Sequence, residues 1–496
     1  MSRSSFLPSS LNLKWFYGLG LAFILLSLGL LLYFEFEVGF IFPVVLAIIL
    51  VGVLRSDLLI LVITFLVPLS VSIKDIGEGT GFGMNFPSEP ITFVLMVGTW
   101  IKFFIDGQID KRILRHPLTK GILFYLFWIF FTAIFSTRFE VSIKFFINKL
   151  WIITVFYFLA AQLFSNTKNI KRFLWCYMVP MIGIVVYTVI NHSQFDFLQK
   201  DAYWVSKPFY IDHGVYAASL AFFVPVLVCF LSYSATFKFS NFMRFVILLF
   251  LVILLTGVVF SFTRATWVSL AAAAVFLGAL LLRLKLRTIL IVGAFSAFIY
   301  LNYKEQISMA LRSNKQDSAN DFGGHIKSIY NVSTDDSNLE RINRWHAALR
   351  MWKEKPILGW GPGVYKFEYA PYQISFEKTK ISTNFGIGGN SHSEYVGPLC
   401  ETGFIGLGSL LVVLLLFVST GMRFIYSTQN KEHKILATCL LLGLSTYYVH
   451  GFLNNYSDSD KVGVMIWGFM AGLVALELQE NKVLIQEEDM DTAELK

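Results

Sequence analysis

Arginines in two stretches and one histidine carry the chemistry this sequence could perform. Arg264 lies in SFTRATW (261–267), Arg341 and Arg344 in ERINRWHAALRMWK (340–353), and His392 in GGNSHSEY (388–395). A guanidinium is a planar fork that stays charged and pairs two oxygens of one phosphate. An imidazole, with an ordinary pKa near 6.5, can accept a proton from an attacking hydroxyl near neutral pH. A diphosphate leaves readily once cations hold the charge developing on it. One base and two or three arginines would therefore suffice to displace a diphosphate with an alcohol, without a redox cofactor. Each residue also has a plainer reading. Arg264 could snorkel to headgroups, Arg341 and Arg344 could form the wet face of a helix, and His392 could be an ordinary surface residue.

The elements that must position these groups are membrane helices. Hydrophobic residues make up 55% of the chain, charged residues only 15%, and Phe alone supplies 50 positions. Mean hydropathy is +0.62. A soluble fold cannot hide that much apolar surface, but a bilayer can. Apolar runs long enough for about 30 Å of hydrocarbon recur along nearly the whole chain. They predict an all-α bundle of about 12–14 spans, at 15–34, 38–54, 57–73, 89–105, 119–136, 145–164, 173–191, 212–233, 244–262, 265–282, 288–303, 394–418, 435–453 and 461–477. The first run lacks a small-residue cleavage site and reads as a retained helix. The organisation expected is an N-terminal segment (1–14), helices (15–303), a large polar loop (304–393), further helices (394–477) and an acidic tail (478–496).

Lys and Arg in the short connections set the orientation. Lys111, Arg112, Arg115, Lys120, Lys168, Lys171, Arg172, Arg283, Lys285, Arg287, Arg423, Lys431 and Lys434 fall on one side, which is then cytoplasmic. Both termini lie there and the 304–393 loop faces out. The net charge of +8 is what a protein facing anionic lipid should carry and implies no nucleic acid.

The loop is where function is expected. Ser313–Asn338 has the composition of a flexible surface segment. Beyond it, Ile342, Trp345, Leu349 and Trp352 recur at helical spacing, which predicts an amphipathic helix lying along the interface and ended by Pro356. GWGPG (359–363) follows as a tight turn. It is no dinucleotide fingerprint, since no strand precedes it and Pro interrupts it.

Three patches in order, SFTRATW (261–267), ERINRWHAALRMWKEKPILGWGPGVY (340–365) and NSHSEYVGPLCETGFIGL (390–407), resemble the O-antigen ligase family, which also holds O-antigen polymerases and bacterial O-oligosaccharyltransferases. The likeness covers roughly residues 250–420: a Ser/Thr-Arg at a helix edge, an Arg four residues before a Trp, a Pro-x-x-Gly-x-Gly turn, a loop His and a Glu-x-Gly-x-x-Gly helix entry. Ser393 stands where family members often carry Asn.

The resemblance implies a membrane glycosyltransferase. It would move a glycan from an undecaprenyl-diphosphate carrier to a hydroxyl of lipid A-core or of another glycan, at the periplasmic face of the inner membrane of a Gram-negative host. The displacement would be single, inverting and metal-independent. His392, Arg264 and Arg341 are the expected catalytic groups, with Arg344 competing for the role of Arg341. Glu394 is a second candidate base or an orienter of His392. Tyr395 could stack on sugar or lipid, or anchor at the interface. His213 and His450, at outer helix ends, could line an acceptor site. A polymerase would use the same donor chemistry. A transporter of lipid-linked substrate is the alternative of another class, but it should show charges or broken helices at the midplane and two matching halves.

The remaining features read as structure. Cys176, Cys229, Cys400 and Cys439 lie in predicted spans without metal-ligand spacing and serve as small apolar residues. His116, His192, His325, His346 and His433 show no ligand spacing either. Lys149, inside a span, either faces a cavity or snorkels.

Overall fold

A computed structural model describes residues 55–72, 85–106, 110–296, 298, 302, 336–383 and 389–494. The expected spans 15–34 and 38–54, and the Ser-rich stretch before residue 336, lie outside the described residues. Helices of ten residues or more are α1 Ser56–Leu69, α2 Ser88–Asp106, α3 Pro117–Ile134, α4 Phe139–Leu163, α5 Thr167–Ser193, α6 His213–Ser232, α7 Asn241–Phe260, α8 Arg264–Leu281, α9 Leu286–Ser296, α10 Asp336–Glu354, α11 Val396–Ser427, α12 Lys431–His450 and α13 Asp460–Glu494. A two-residue antiparallel ladder, β1 Val71–Ser72 with β2 Asn85–Phe86, joins the α1–α2 connection.

The chain is a polytopic helical bundle. Among the described residues, α3–α8, α11 and Asp460–Asn481 of α13 are each long and apolar enough to cross a membrane, eight in all. Shorter apolar helices stand at three further expected spans, 57–73, 89–105 and 288–303. The apolar part of α1 and of α2 is shorter than a full crossing, as is the described length of α9. Helix α12 occupies the expected 435–453 span with twenty residues, but Lys431, Glu432 and Lys434 at one end and Tyr447, Tyr448 and His450 at the other leave it less apolar than the eight. Helix α11 runs nine residues beyond the expected 394–418 span.

Burial follows composition. Helix α6 is buried along nearly its whole length, as an all-round apolar helix must be. Its neighbours approach closely through small residues. A Cβ on Gly443 of α12 would lie 2.7 Å from the Phe222 carbonyl oxygen of α6. Helices α7 and α8 keep apolar side chains such as Phe245, Val252 and Val275 exposed, the surface a lipid solvent accepts.

Two lysines buried in the bundle have their ammonium groups satisfied. Lys149 is buried and does not snorkel. Its Nζ lies 2.8 Å from Asp458 and donates to the carbonyl and hydroxyl oxygens of Ser457, each at 3.2 Å. Lys461 Nζ donates to the carbonyls of Val67, Pro68 and Ser70 at 2.8–3.0 Å, satisfying the open C-terminal carbonyls of α1. The four cysteines form no disulfide.

Helix α10 packs differently from the expectation. Its buried face is Asn343, Arg344, Ala347, Ala348 and Met351, set against α11 and a cluster of Tyr365, Tyr369 and Cys400. The Ile342–Trp345–Leu349–Trp352 stripe is the half-buried flank. Small residues let α10 seat its backbone close, whereas the Trp stripe is too bulky for that contact.

Candidate active site

The site is assembled by a backbone joint between the loop and α11. Trp360 N–H donates to Cys400 O at 3.1 Å, Gly361 N–H to Glu401 O at 2.8 Å, and Phe404 N–H to Pro356 O at 2.9 Å. Helix α11 breaks at Gly403 (φ 70°, ψ −175°) to accept this contact. A Cβ on Gly403 would stand 1.9 Å from Ile357 O, and one on Gly359 (φ 69°) 2.4 Å from Glu401 O. The glycines of the turn and of the helix entry thus interlock, fixing α10 over the helix ends.

A cavity of about 390 Å³ lies beneath, at the end of the bundle where α6 and α8 begin. Arg264, Arg341, His392 and His213 all line it. Arg264 is the first residue of α8, whose cap Thr263 makes no side-chain cap bond. A cation there opposes the helix dipole, so the placement suits an anion held at the mouth rather than helix stability. Arg341 is held in place by Leu453 O (3.1 Å from Nε) and Asn338 Oδ1 (3.2 Å from Nη1).

His392 has a left-handed backbone (φ 51°) without being glycine, a conformation that persists where the surroundings enforce it. Its N–H donates to Asn390 Oδ1 at 3.0 Å. Its Nδ1 is buried and has no hydrogen-bond partner among the described residues. Burial first, then the nearby Arg344 and Arg341 charges, push its pKa down to about 3. The imidazole is therefore neutral and its lone pair available at physiological pH.

The other expected residues do not line the cavity. Arg344 is buried behind it, donating from Nε to Glu340 Oε1 at 2.7 Å and from Nη1 to Asn390 O at 3.0 Å. It ties the His392 segment to α10. Glu394 is buried and accepts from Tyr447, from the Tyr456 and Ser457 amides and from Ser457 Oγ, so it orders the 454–457 turn rather than His392. Tyr395 donates to Tyr448 O at 2.8 Å and its ring packs on Phe452. His450 is buried one layer down, with Nε2 2.9 Å from Asn454. His213 reaches the cavity with its ring edge-on to Tyr203 and its Nδ1 buried, without a hydrogen-bond partner among the described residues.

Sequence reading missed Asp212, Asn338, Asn454 and Tyr456, which complete the wall. The run NNYSDSD (454–460), polar and directly after a span, was the available signal for the last two. Asp212 also caps α6 through Gly214 N–H (2.7 Å) and Val215 N–H (3.0 Å). Among the described residues, no group of three His, Cys, Asp or Glu is placed to hold a metal.

Residues 249–411, from mid-α7 through the loop into α11, match the family model of O-antigen ligase. Over this segment the chain is similar to the O-antigen ligase family. The helices make the chain an integral membrane protein, and the matched family implies a membrane enzyme acting on glycans. No curated protein matches the chain. The matched segment contributes Arg264, Arg341 and His392 to the cavity, while His213 and the 453–456 turn come from outside it.

Proposed function

We propose that the chain transfers a glycan from an undecaprenyl-diphosphate carrier to a hydroxyl acceptor, at the face bearing the 336–393 segment. The convergence of Arg264, Arg341 and His392 on one cavity carries this reading. The two guanidiniums grip the diphosphate, adjoining the uncapped N-terminus of α8, a place that favours anions. The acceptor oxygen attacks the anomeric carbon from the face opposite the leaving group. Its proton passes to the unprotonated imidazole of His392. The carbon–oxygen bond to the diphosphate breaks, and its electron pair stays on the phosphate oxygen held by arginine. Configuration inverts in this single displacement, and the reaction balances without nucleotide sugar or redox cofactor. The acceptor is lipid A-core for a ligase or a growing glycan for a polymerase, in the inner membrane with both termini cytoplasmic.

The test is reconstitution of full-length protein with purified lipid-linked glycan and acceptor. Arg264→Ala and His392→Ala are expected to insert normally and lose transfer. Variants that retain transfer but stop moving donor across the bilayer would instead establish a carrier. Deleting the gene separates the two enzyme readings: an uncapped lipid core means ligase, and single-repeat chains mean polymerase.

A further inference from the structure

A second cavity of about 440 Å³ opens at the opposite end of the bundle, among α6, α8, α11 and α12. Its wall is apolar, with Leu277, Leu281 and Ile435 among the lining, and its rim carries Arg283, Lys431 and Lys434. Among the described residues, no carboxylate lines it. None of the three cations forms an ion pair among the described residues, although Lys171, Arg423 and His433 on the same end all do.

Local structure disfavours the placement of each cation. Arg283 has φ 53°, the left-handed position that glycine normally fills when a helix ends this way. The turn is closed by Arg283 N–H to Leu280 O (3.1 Å) and Leu284 N–H to Ala279 O (3.0 Å). Tyr426 clamps it by donating to Leu284 O at 3.0 Å. Lys431 and Lys434 stand in the first turn of α12, where the helix dipole repels cations. An arginine kept in a glycine position and two lysines at a positive helix end make sense if a negative charge sits among them.

We propose that this cavity holds one anionic glycerophospholipid, with its phosphate between Arg283, Lys431 and Lys434 and an acyl chain along the Leu277–Leu281–Ile435 wall. Basic pockets between membrane helices are where anionic headgroups bind, and the apolar wall continuing from the rim selects a lipid over a free anion. The site is separate from the catalytic cavity, so it stands whatever reaction that cavity performs. A lipid there wedges α8 against α12 at the ends opposite Arg264 and His450.

Native mass spectrometry of the full-length protein, titrated with dioleoyl phosphatidylglycerol or dioleoyl phosphatidylcholine, tests this. The wild type should retain one phosphatidylglycerol with at least about a five-fold preference over phosphatidylcholine. The preference should fall below about two-fold in Arg283→Gln/Lys431→Gln/Lys434→Gln. Arg283→Gly relieves the backbone strain, so it should keep or raise thermal stability while weakening phosphatidylglycerol retention. Arg283→Lys should preserve it. Equal retention of both lipids by the wild type, or unchanged retention in the triple variant, would overturn the proposal. Displacement of the lipid by millimolar inorganic phosphate would overturn it too, marking a free-anion site.

Discussion

Arg344 and Glu340 lie one turn apart on the same helix, 2.7 Å from each other, and neither side chain is more than 6% exposed. Burial alone would raise the Glu340 carboxyl, but bonds from Ser382 and Arg344 outweigh it and hold the group below its usual range. Arg341, three residues before Arg344, points to the cavity instead. The two arginines therefore divide cavity lining from loop support.

That division predicts opposite phenotypes. Arg341→Gln should leave thermal stability within a few degrees of wild type and abolish transfer. Arg344→Gln strands a buried carboxylate and should cost about 3–5 kcal/mol, read as a lowered unfolding temperature with activity lost through the fold. Arg344→Gln with Glu340→Gln should recover much of the stability. Similar melting curves for the two single variants would refute the assignment.

The Glu340 carboxyl also makes the loop acid-labile. Its folded pKa lies below its unfolded value, so its contribution is complete above the unfolded pKa and is lost as pH falls through the folded one. Limited proteolysis of the 336–383 segment should accelerate below about pH 4.5, and less so in Glu340→Gln.

His392 gives a kinetic signature. Its pKa of about 3 in the unliganded site means that kcat/KM, which reports the free enzyme, should show no acid limb from this group between pH 5 and 8. A bound diphosphate offsets the arginine charges and raises the imidazole pKa, so the acid limb of kcat should sit at higher pH than that of kcat/KM. His392→Ala should lower kcat by about 100- to 10,000-fold. Coincident limbs in the two profiles would exclude His392 as the base.

The loop–helix joint is open to a stability test. Alanine at Gly359 or Gly403 needs both a left-handed backbone and space already filled by a carbonyl. Each should cost at least about 1–3 kcal/mol and depress transfer, while the same change at Gly278, which has open space around it, should be nearly neutral. Unfolding temperatures in detergent decide this.

Lys149 and Asp458 should behave as a coupled pair. Lys149→Met leaves the Ser457 oxygens without their buried donor and should cost about 1–3 kcal/mol. The double variant Lys149→Met/Asp458→Asn should be less damaging than the sum of the singles by about 0.5–3 kcal/mol, measured by denaturant titration. Additive losses would show that the pair is not coupled.

The amino-acid order is enough to read a membrane bundle, since the apolar run of each helix is a local property that needs no partner to be visible. It also marked Arg264 and His392, through the family-like patches SFTRATW and NSHSEY in which they stand. Tertiary structure alone separated Arg341 from Arg344. Three residues differ by only about 60° around a helix, so which one faces the cavity depends on how α10 seats on α11. That seating rests on amide-to-carbonyl bonds such as Trp360 to Cys400, and backbone groups carry no residue identity to read. For the same reason Asp212 and Asn454, 242 residues apart in the chain, could be recognised as one wall only after the bundle had brought them together.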